Sequence, residues 1–271
     1  VGETLGIHDI VCSDMGGTSF DVGIIRRGLI PIQREPDVSR FRLNLPMVLM
    51  DSIGAGTGTV IRVNPSTKRV EFGPESAGSS VGRCYTYSMP TICDCDVTLG
   101  YLNPEYFLGG RVKLDKDRAF KACKELADTI GLDDPYRAAS GIVDLQSSTM
   151  RSHIYNMLLA RGYTPSEYTF MVYGGGGPLH MWGFAENIPF KNIMTFPFAA
   201  VFSAFGPTTS DYSRRYQKSI VAGVPASTDE KATMMKIVSQ SAINNAWKEL
   251  QEKATRQFEE EGISKEKIKL K

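Results

Sequence analysis

A chain of 271 residues with 42% apolar side chains carries enough material for one large domain or two smaller ones, each with a proper core. Its 31 Lys and Arg against 30 Asp and Glu leave a formal charge of +1, which argues against nucleic acid or a membrane surface as partner. Five cysteines without a disulfide-like framework fit a reducing, cytoplasmic setting, and the most apolar stretch, 196–205, contains Pro197 and is far too short to span a bilayer.

The first element is an apolar run, Ile10-Val11-Cys12, leading through Asp14-Met15-Gly16-Gly17-Thr18-Ser19-Phe20-Asp21-Val22-Gly23 into Ile24-Ile25. The pattern predicts a strand, a tight glycine turn and a returning strand. Gly16 and Gly17 let backbone N–H groups approach an anion closely, and the hydroxyls of Thr18 and Ser19 add donors. Asp14 and Asp21 flank the turn, where they hold Mg²⁺ or orient a water. An ordinary hairpin turn has the same spacing.

Residues 47–63 repeat the arrangement: a strand, the loop Gly54-Ala55-Gly56-Thr57-Gly58, and a strand. That loop is either only a flexible hairpin or part of a site, with Asp51 beside it to meet a metal or substrate. Residues 64–113 form an insertion, a hairpin about Pro65-Ser66 and then a stretch rich in Gly, Pro, Ser and Cys that reads mostly as loop. Helical spacing predicts a helix from Leu114 to Ile130, stopped by Gly131, and a second from Tyr136 to Arg161.

Thr169–Tyr173 reads as a buried strand running straight into Gly174-Gly175-Gly176-Gly177, with a helix from near Leu179 to Asn187. Glycines at such a junction mark an anion or nucleotide site, or else a tight crossing. A strand at 191–196 and a helix at 199–205 follow, with Phe196, Phe198, Phe202 and Phe205 expected in the core. The alternation of strand and helix after residue 110 predicts an α/β layer structure with parallel strands.

Residues 1–222 are expected to form one lobe, and 223–271 a linker and a long amphipathic helix. The linker is Gly223–Ala226, the helix start a capping box of Ser227 and Glu230, and the apolar stripe Met235, Val238, Ala242, Ala246, Trp247, Leu250, Ala254 and Phe258. Ile268–Lys271 alternates like the start of a strand. A chain that opens on Val1 and closes in this way is expected to be a piece of a longer protein.

Cys84, Cys93 and Cys95 are expected as reduced structural thiols, since no second close pair or nearby histidine completes four metal ligands. Asp94 either belongs to the site or caps a turn. His180, at a helix start beside the glycine cluster, is a donor or base, or makes a helix-start hydrogen bond.

Taken together, Asp14–Val22 and Tyr173–His180 resemble the second half of the actin-like ATPase (ribonuclease H-like) fold, which implies an α/β lobe with a mixed sheet and flanking helices. With Ile53–Gly56, Gly73–Gly78 and Leu99–Gly110, the set resembles the hydantoinase/oxoprolinase family over about residues 5–220. Within that family it is nearest the ketone carboxylase branch, the acetone and acetophenone carboxylases, with Gly56-Thr57-Gly58, Cys93-Asp94-Cys95-Asp96 and Gly82-Arg83-Cys84-Tyr85 departing from the hydantoinase pattern.

The resemblance implies ATP and Mg²⁺ as cofactors. Gly16, Gly17, Thr18 and Ser19 would grip phosphates, Gly54, Gly56 and Gly174–Gly177 would line the nucleotide, and Asp14, Asp21, Asp94 and His180 would serve catalysis, with Asp14 and Asp21 on Mg²⁺. It implies as partners an N-terminal lobe of the same protein that precedes Val1, a hydantoinase B-like subunit and a small-molecule substrate, with no nucleic acid and no membrane. The implied activity is phosphorylation of a carbonyl or bicarbonate oxygen in a ketone carboxylase. The alternatives are an ATP-dependent cyclic amide hydrolase of the hydantoinase or 5-oxoprolinase type, and a non-catalytic nucleotide-binding or structural subunit. This chain alone is expected to be inactive and to bind ATP weakly.

Overall fold

The structure is a computed structural model that describes residues 1–38, 40–210, 212–220 and 240–270. The chain divides into two units, Val1–Thr209 and Ser210–Lys271. In chain order the first unit places strands β1 (Ile10–Met15), β2 (Phe20–Ile25) and β3 (Met50–Ile53), then the hairpin β4 (Thr59–Val63) and β5 (Val70–Ser76). Helices α1 (Ile92–Leu99), α2 (Lys116–Ile130) and α3 (Pro135–Leu159) follow. Strand β6 (Thr169–Tyr173), helix α4 (Gly177–Ala185), strand β7 (Asn192–Thr195) and helix α5 (Phe202–Thr209) complete it.

Five of the strands form one mixed sheet in the order β7-β6-β1-β2-β3. The β7-β6-β1 part is parallel and the β1-β2-β3 part antiparallel. Alternation sets the two faces: Val11, Met15, Phe20, Val22 and Ile24 turn inward against Met150, Ile154, Met157 and Leu158 of α3 and Phe184 of α4. Thr169 to Val172 of β6 are buried at every position, as a central strand covered on both sides requires. The architecture is α/β with a mixed sheet and flanking helices: the alternation after residue 110 accounts for the parallel β6 and β7, and the antiparallel β1-β2-β3 part makes the sheet mixed.

A second layer packs the β4–β5 hairpin on the helices, with Ile61, Ile92, Cys95, Cys123, Leu126, Ala139 and Ile142 in its core. Asp115 and Asp134 cap α2 and α3 by accepting from Arg118 and Tyr136 N–H, and Gly131 ends α2 at φ 81°. Helix α1 overturns the expectation that 74–113 is mostly loop. Ile92 to Thr98 are all buried, so the helix has no exposed face and leaves no amphipathic period in the sequence.

The run Phe196–Phe205 also departs from expectation. Phe196 and Phe202 stack with centroids 4.3 Å apart, but Phe198 and Phe205 remain 42% and 41% exposed, so this is a surface aromatic stack on the edge of the sheet rather than core. Between β2 and β3 an arm held by two short ladders, Ile32–Gln33 with Met47–Val48 and Asp37–Val38 with Phe41–Arg42, exposes Leu29, Leu45 and Met47.

The second unit centres on helix α6 (Gln240–Glu260), with Ala246 and Ala254 buried on one stripe. Tyr212 meets Phe258 edge-on at 5.7 Å, and Arg214–Glu261 and Lys218–Glu249 pair across the unit. The predicted linker Gly223–Ala226, the capping pair Ser227 and Glu230, and Met235 and Val238 lie outside the described residues. Lys265–Lys267 form a single helical turn, and nothing among the described residues pairs with Ile268–Leu270, so the expected strand does not form there. Among the described residues no helix is long and apolar enough to cross a membrane.

Candidate functional site: a glycine-walled turn

Three glycine segments meet at the turn between β1 and β2. Gly16 N–H donates to Ser19 O at 3.1 Å and closes the turn. Thr57 N–H donates to Gly16 O at 3.1 Å and Gly58 N–H to Gly17 O at 2.7 Å, so the loop after β3 backs the turn. A Cβ on Gly56 would stand 2.4 Å from Gly17 C and 2.5 Å from Thr18 N, so the two backbones touch with no room for a side chain.

In a trans peptide the N–H points opposite to the C=O. With Gly16 O and Gly17 O both pinned to the loop, the N–H groups of Gly17 and Thr18 turn away from it, to the exposed side of the turn. Neither donates a hydrogen bond to another described residue. Two adjacent outward N–H groups form a concavity suited to an anion. Ser76 Oγ lies 3.3 Å from Thr18 Oγ1 and adds a hydroxyl at the rim.

The third segment comes from β6. Gly176 N–H donates to Met15 O at 2.8 Å, and a Cβ on Gly174 would stand 2.3 Å from Asp14 Oδ1. Gly175 is exposed with nothing within 4 Å of its Cβ position, while Gly177 packs on Val172. Gly54 faces Pro74 instead of the turn.

Asp14 and Asp21 are direct partners in the β1–β2 register, so their side chains share the sheet face away from α3. Asp14 accepts from Ser203 Oγ of α5, and Asp21 from Ser19 Oγ at 3.1 Å. Two carboxylates directly opposed repel each other, and a cation between them relieves that. The pair suits Mg²⁺, which keeps much of its water and takes one or two protein carboxylates. Among the described residues no group of three or more His, Cys, Asp or Glu could hold a metal, so phosphate oxygens and water would complete the shell. Tyr173 and Cys12 lie on the same face; burial pushes the Cys12 thiol up to about 11, so it is no thiolate nucleophile at neutral pH.

Asp94 and His180 are not brought to this turn. Asp94 is fully buried and accepts N–H bonds from Cys84 at 2.6 Å, Thr91 at 2.8 Å and Arg83 at 3.1 Å. Burial raises its carboxyl, and those backbone bonds oppose the rise. Its carboxylate closes the capping box of α1, whose N-cap is Thr91. His180 is buried and turns its Nε2 to Asp96 Oδ2 at 3.1 Å, away from the open side. Asp51 stands opposite inward-facing Val22, so it lies on the other face from Asp14, near His153.

The cysteines are all free; Cys95 and Cys123 meet at 3.9 Å between α1 and α2. A cavity of about 370 Å³ between β4 and α2 holds none of the glycine segments, and its two arginines, Arg62 and Arg83, are already paired with Glu75 and Glu125. Sequence reasoning gave no role to Ser76, Gln146 or Ser203. Ser203 lies inside an aromatic run and 189 residues from the aspartate it contacts, so no local pattern marks it.

A family model described as Hydantoinase/oxoprolinase matches residues 1–216. The acetone carboxylase beta subunit of Xanthobacter autotrophicus is 41% identical over 274 residues, covering 100% of this chain and 38% of that one. A solved nucleotide-free acetone carboxylase superposes with a TM-score of 0.84 at 40% identity, covering 99% of this chain and 38% of that one. The ATP-dependent caprolactamase from Pseudomonas jessenii superposes with a TM-score of 0.68 at 32% identity, covering 76% and 30%. The chain thus spans less than two fifths of the length of these relatives.

Proposed function

The chain belongs to the hydantoinase/oxoprolinase family, and on that premise we propose that its first unit, Val1–Thr209, is the second, phosphate-gripping lobe of an actin-like ATPase working in a ketone carboxylase. The observation that carries this reading is the pair of N–H groups on Gly17 and Thr18, which donate to nothing among the described residues and are both turned outward by carbonyls held from behind. Gly16, Gly17, Thr18 and Ser19 cradle phosphates. Asp14 and Asp21 hold Mg²⁺, and the exposed Gly175 with its neighbours Gly174, Gly176 and Gly177 admits the adenosine side. When bound, ATP supplies the phosphoryl group that activates a carbonyl or bicarbonate oxygen, a task that asks the protein for positioning and charge neutralisation.

In this reading the nucleotide lies between this lobe and an N-terminal lobe of the same protein. A hydantoinase B-like subunit takes over the activated intermediate, and the assembly works in the cytoplasm, where the free thiols stay reduced. Likeness to acetone carboxylase at a TM-score of 0.84 supports the carboxylase reading. Likeness to a caprolactamase supports a second one, activation of a cyclic amide oxygen by the same turn.

The test is ATP turnover by the full-length protein with its partner subunits. Turnover that needs a ketone and bicarbonate supports the first reading, and turnover that needs a lactam or hydantoin supports the second. Asp14→Asn keeps the shape and removes the charge. It is expected to weaken Mg-ATP binding by at least about tenfold, about 1.4 kcal/mol, in a calorimetric titration. Unchanged affinity in that variant removes Asp14 from the site.

A further inference from the structure

One buried amide stands behind the turn. Gln146, on α3, is 2% exposed, and its Nε2 donates to Gly56 O at 3.0 Å across 90 residues of sequence. Gly56 O belongs to the same peptide unit as Thr57 N–H, which points the opposite way and donates to Gly16 O. Gly16 O in turn shares its peptide unit with Gly17 N–H, which points outward. The result is a line of aligned dipoles: the Gln146 amide, the 56–57 peptide, the 16–17 peptide and the free N–H of Gly17. Aligned hydrogen bonds polarise one another, and in a dry interior the effect is not screened.

We propose that Gln146 is a positioning residue for the anion site, holding the 56–57 peptide so that Gly17 N–H is fixed in direction and strengthened as a donor to phosphate. The proposal rests on the reading of the turn as a phosphate grip. Gly56 O also accepts from Thr59 N–H at 3.2 Å, which closes the loop locally but comes from the loop itself. Gln146 is the anchor from outside the loop. Helix α1 adds a second tie on the same loop, since Cys93 N–H donates to Thr57 O at 2.7 Å, but that bond acts on the 57–58 peptide.

The experiment uses Gln146→Met, which keeps the length and shape of the side chain and removes the donor, in the full-length protein. Gln146→Glu, which replaces the donor by an acceptor, is the second variant. Hydrogen exchange followed by mass spectrometry reads the peptides over 54–59 and 14–20, with the β6 peptide as the internal control. Titration with Mg-ATP reads the affinity. The expected result is exchange at 54–59 at least about tenfold faster, unchanged exchange in β6, and Mg-ATP affinity down by about tenfold or more. The KM for the second substrate stays as in the wild type. A purely structural role would slow nothing but folding: it would lower the unfolding midpoint and speed exchange everywhere, leaving the nucleotide affinity of the folded protein intact.

Unchanged exchange at 54–59, or wild-type Mg-ATP affinity in a variant whose loop has loosened, overturns the proposal. In the wild type, Mg-ATP is expected to slow exchange at 54–59 as well as at 14–20, although the loop stands behind the turn. Protection confined to 14–20 also counts against the relay, and this measurement needs no variant to fold. A wild-type protein that binds no Mg-ATP sinks the functional reading instead, and the exchange of Gln146→Met still decides whether the side chain holds the loop.

Discussion

Gly174→Ala is expected to cost about 3 kcal/mol or more of stability and to abolish nucleotide binding. Gly174 sits at φ +89°, where an L side chain is strained by about 1–2 kcal/mol. Its Cβ would stand 2.3 Å from Asp14 Oδ1, 2.4 Å from Met15 O and 2.7 Å from Met15 C. Two of those atoms are backbone and have no free direction in which to move: Met15 O accepts from Gly176 N–H, and Gly174 N–H is itself held by Ala199 O at 2.9 Å. Overpacking of this kind adds about 1–3 kcal/mol.

The displaced group is the Asp14 carboxylate, so the damage falls on the Mg²⁺ side of the proposed site as well as on the fold. Gly175→Ala is the control. Nothing lies within 4 Å of its Cβ position and its φ is unremarkable, so urea unfolding should return a midpoint near that of the wild type. Calorimetric titration should still show weakened Mg-ATP binding, because the new methyl occupies the open side. Equal unfolding midpoints for the two variants would show that the Gly174 contact yields without cost.

What the sequence disclosed and what it hid divide along chain distance. The turn Asp14–Gly23 was legible because everything that shapes it is local: alternating strands, two glycines and hydroxyls within a few residues. The β6–glycine–α4 junction was legible for the same reason. The parts that make them one site are not local. Gln146 reaches Gly56 across 90 residues and Ser203 reaches Asp14 across 189, and neither residue stands in a pattern that differs from an ordinary helix or an aromatic run. Asp94 reads from sequence as a site residue or a turn cap, because it stands where the resembled family carries an aspartate. Its true partners are the backbone N–H groups of Arg83 and Cys84, brought back by a chain reversal that no period announces. Helix α1 escaped notice because burial on every side erases the amphipathic signal that sequence reading depends on.

His180→Ala is expected to destabilise the protein by about 3–5 kcal/mol while leaving nucleotide affinity of the folded molecule unchanged. His180 and Asp96 tie α4 to α1 from positions 4% and 0% exposed. Asp96 Oδ1 is already buried without a partner among the described residues, so loss of the imidazole leaves the carboxyl with no hydrogen bond among them. A catalytic histidine behaves the other way, costing turnover or affinity and little stability, so one urea titration beside one Mg-ATP titration separates the two roles.

The pH dependence gives an independent check on Asp96. Burial raises its carboxyl above the ordinary value and the His180 hydrogen bond offsets only part of the rise. A carboxyl raised in the folded state binds its proton more tightly there than in the unfolded chain. Its stabilising contribution is therefore complete below the unfolded value, near about 4, and is lost as pH climbs through the folded value. Asp96→Asn has no proton to lose. Denaturation at a series of pH values from acid to neutral should show the wild type falling relative to Asp96→Asn, with the gap opening as the pH rises. Parallel profiles would mean that Asp96 keeps its ordinary proton affinity, and that the dyad is held by hydrogen-bond geometry with no cost of buried charge.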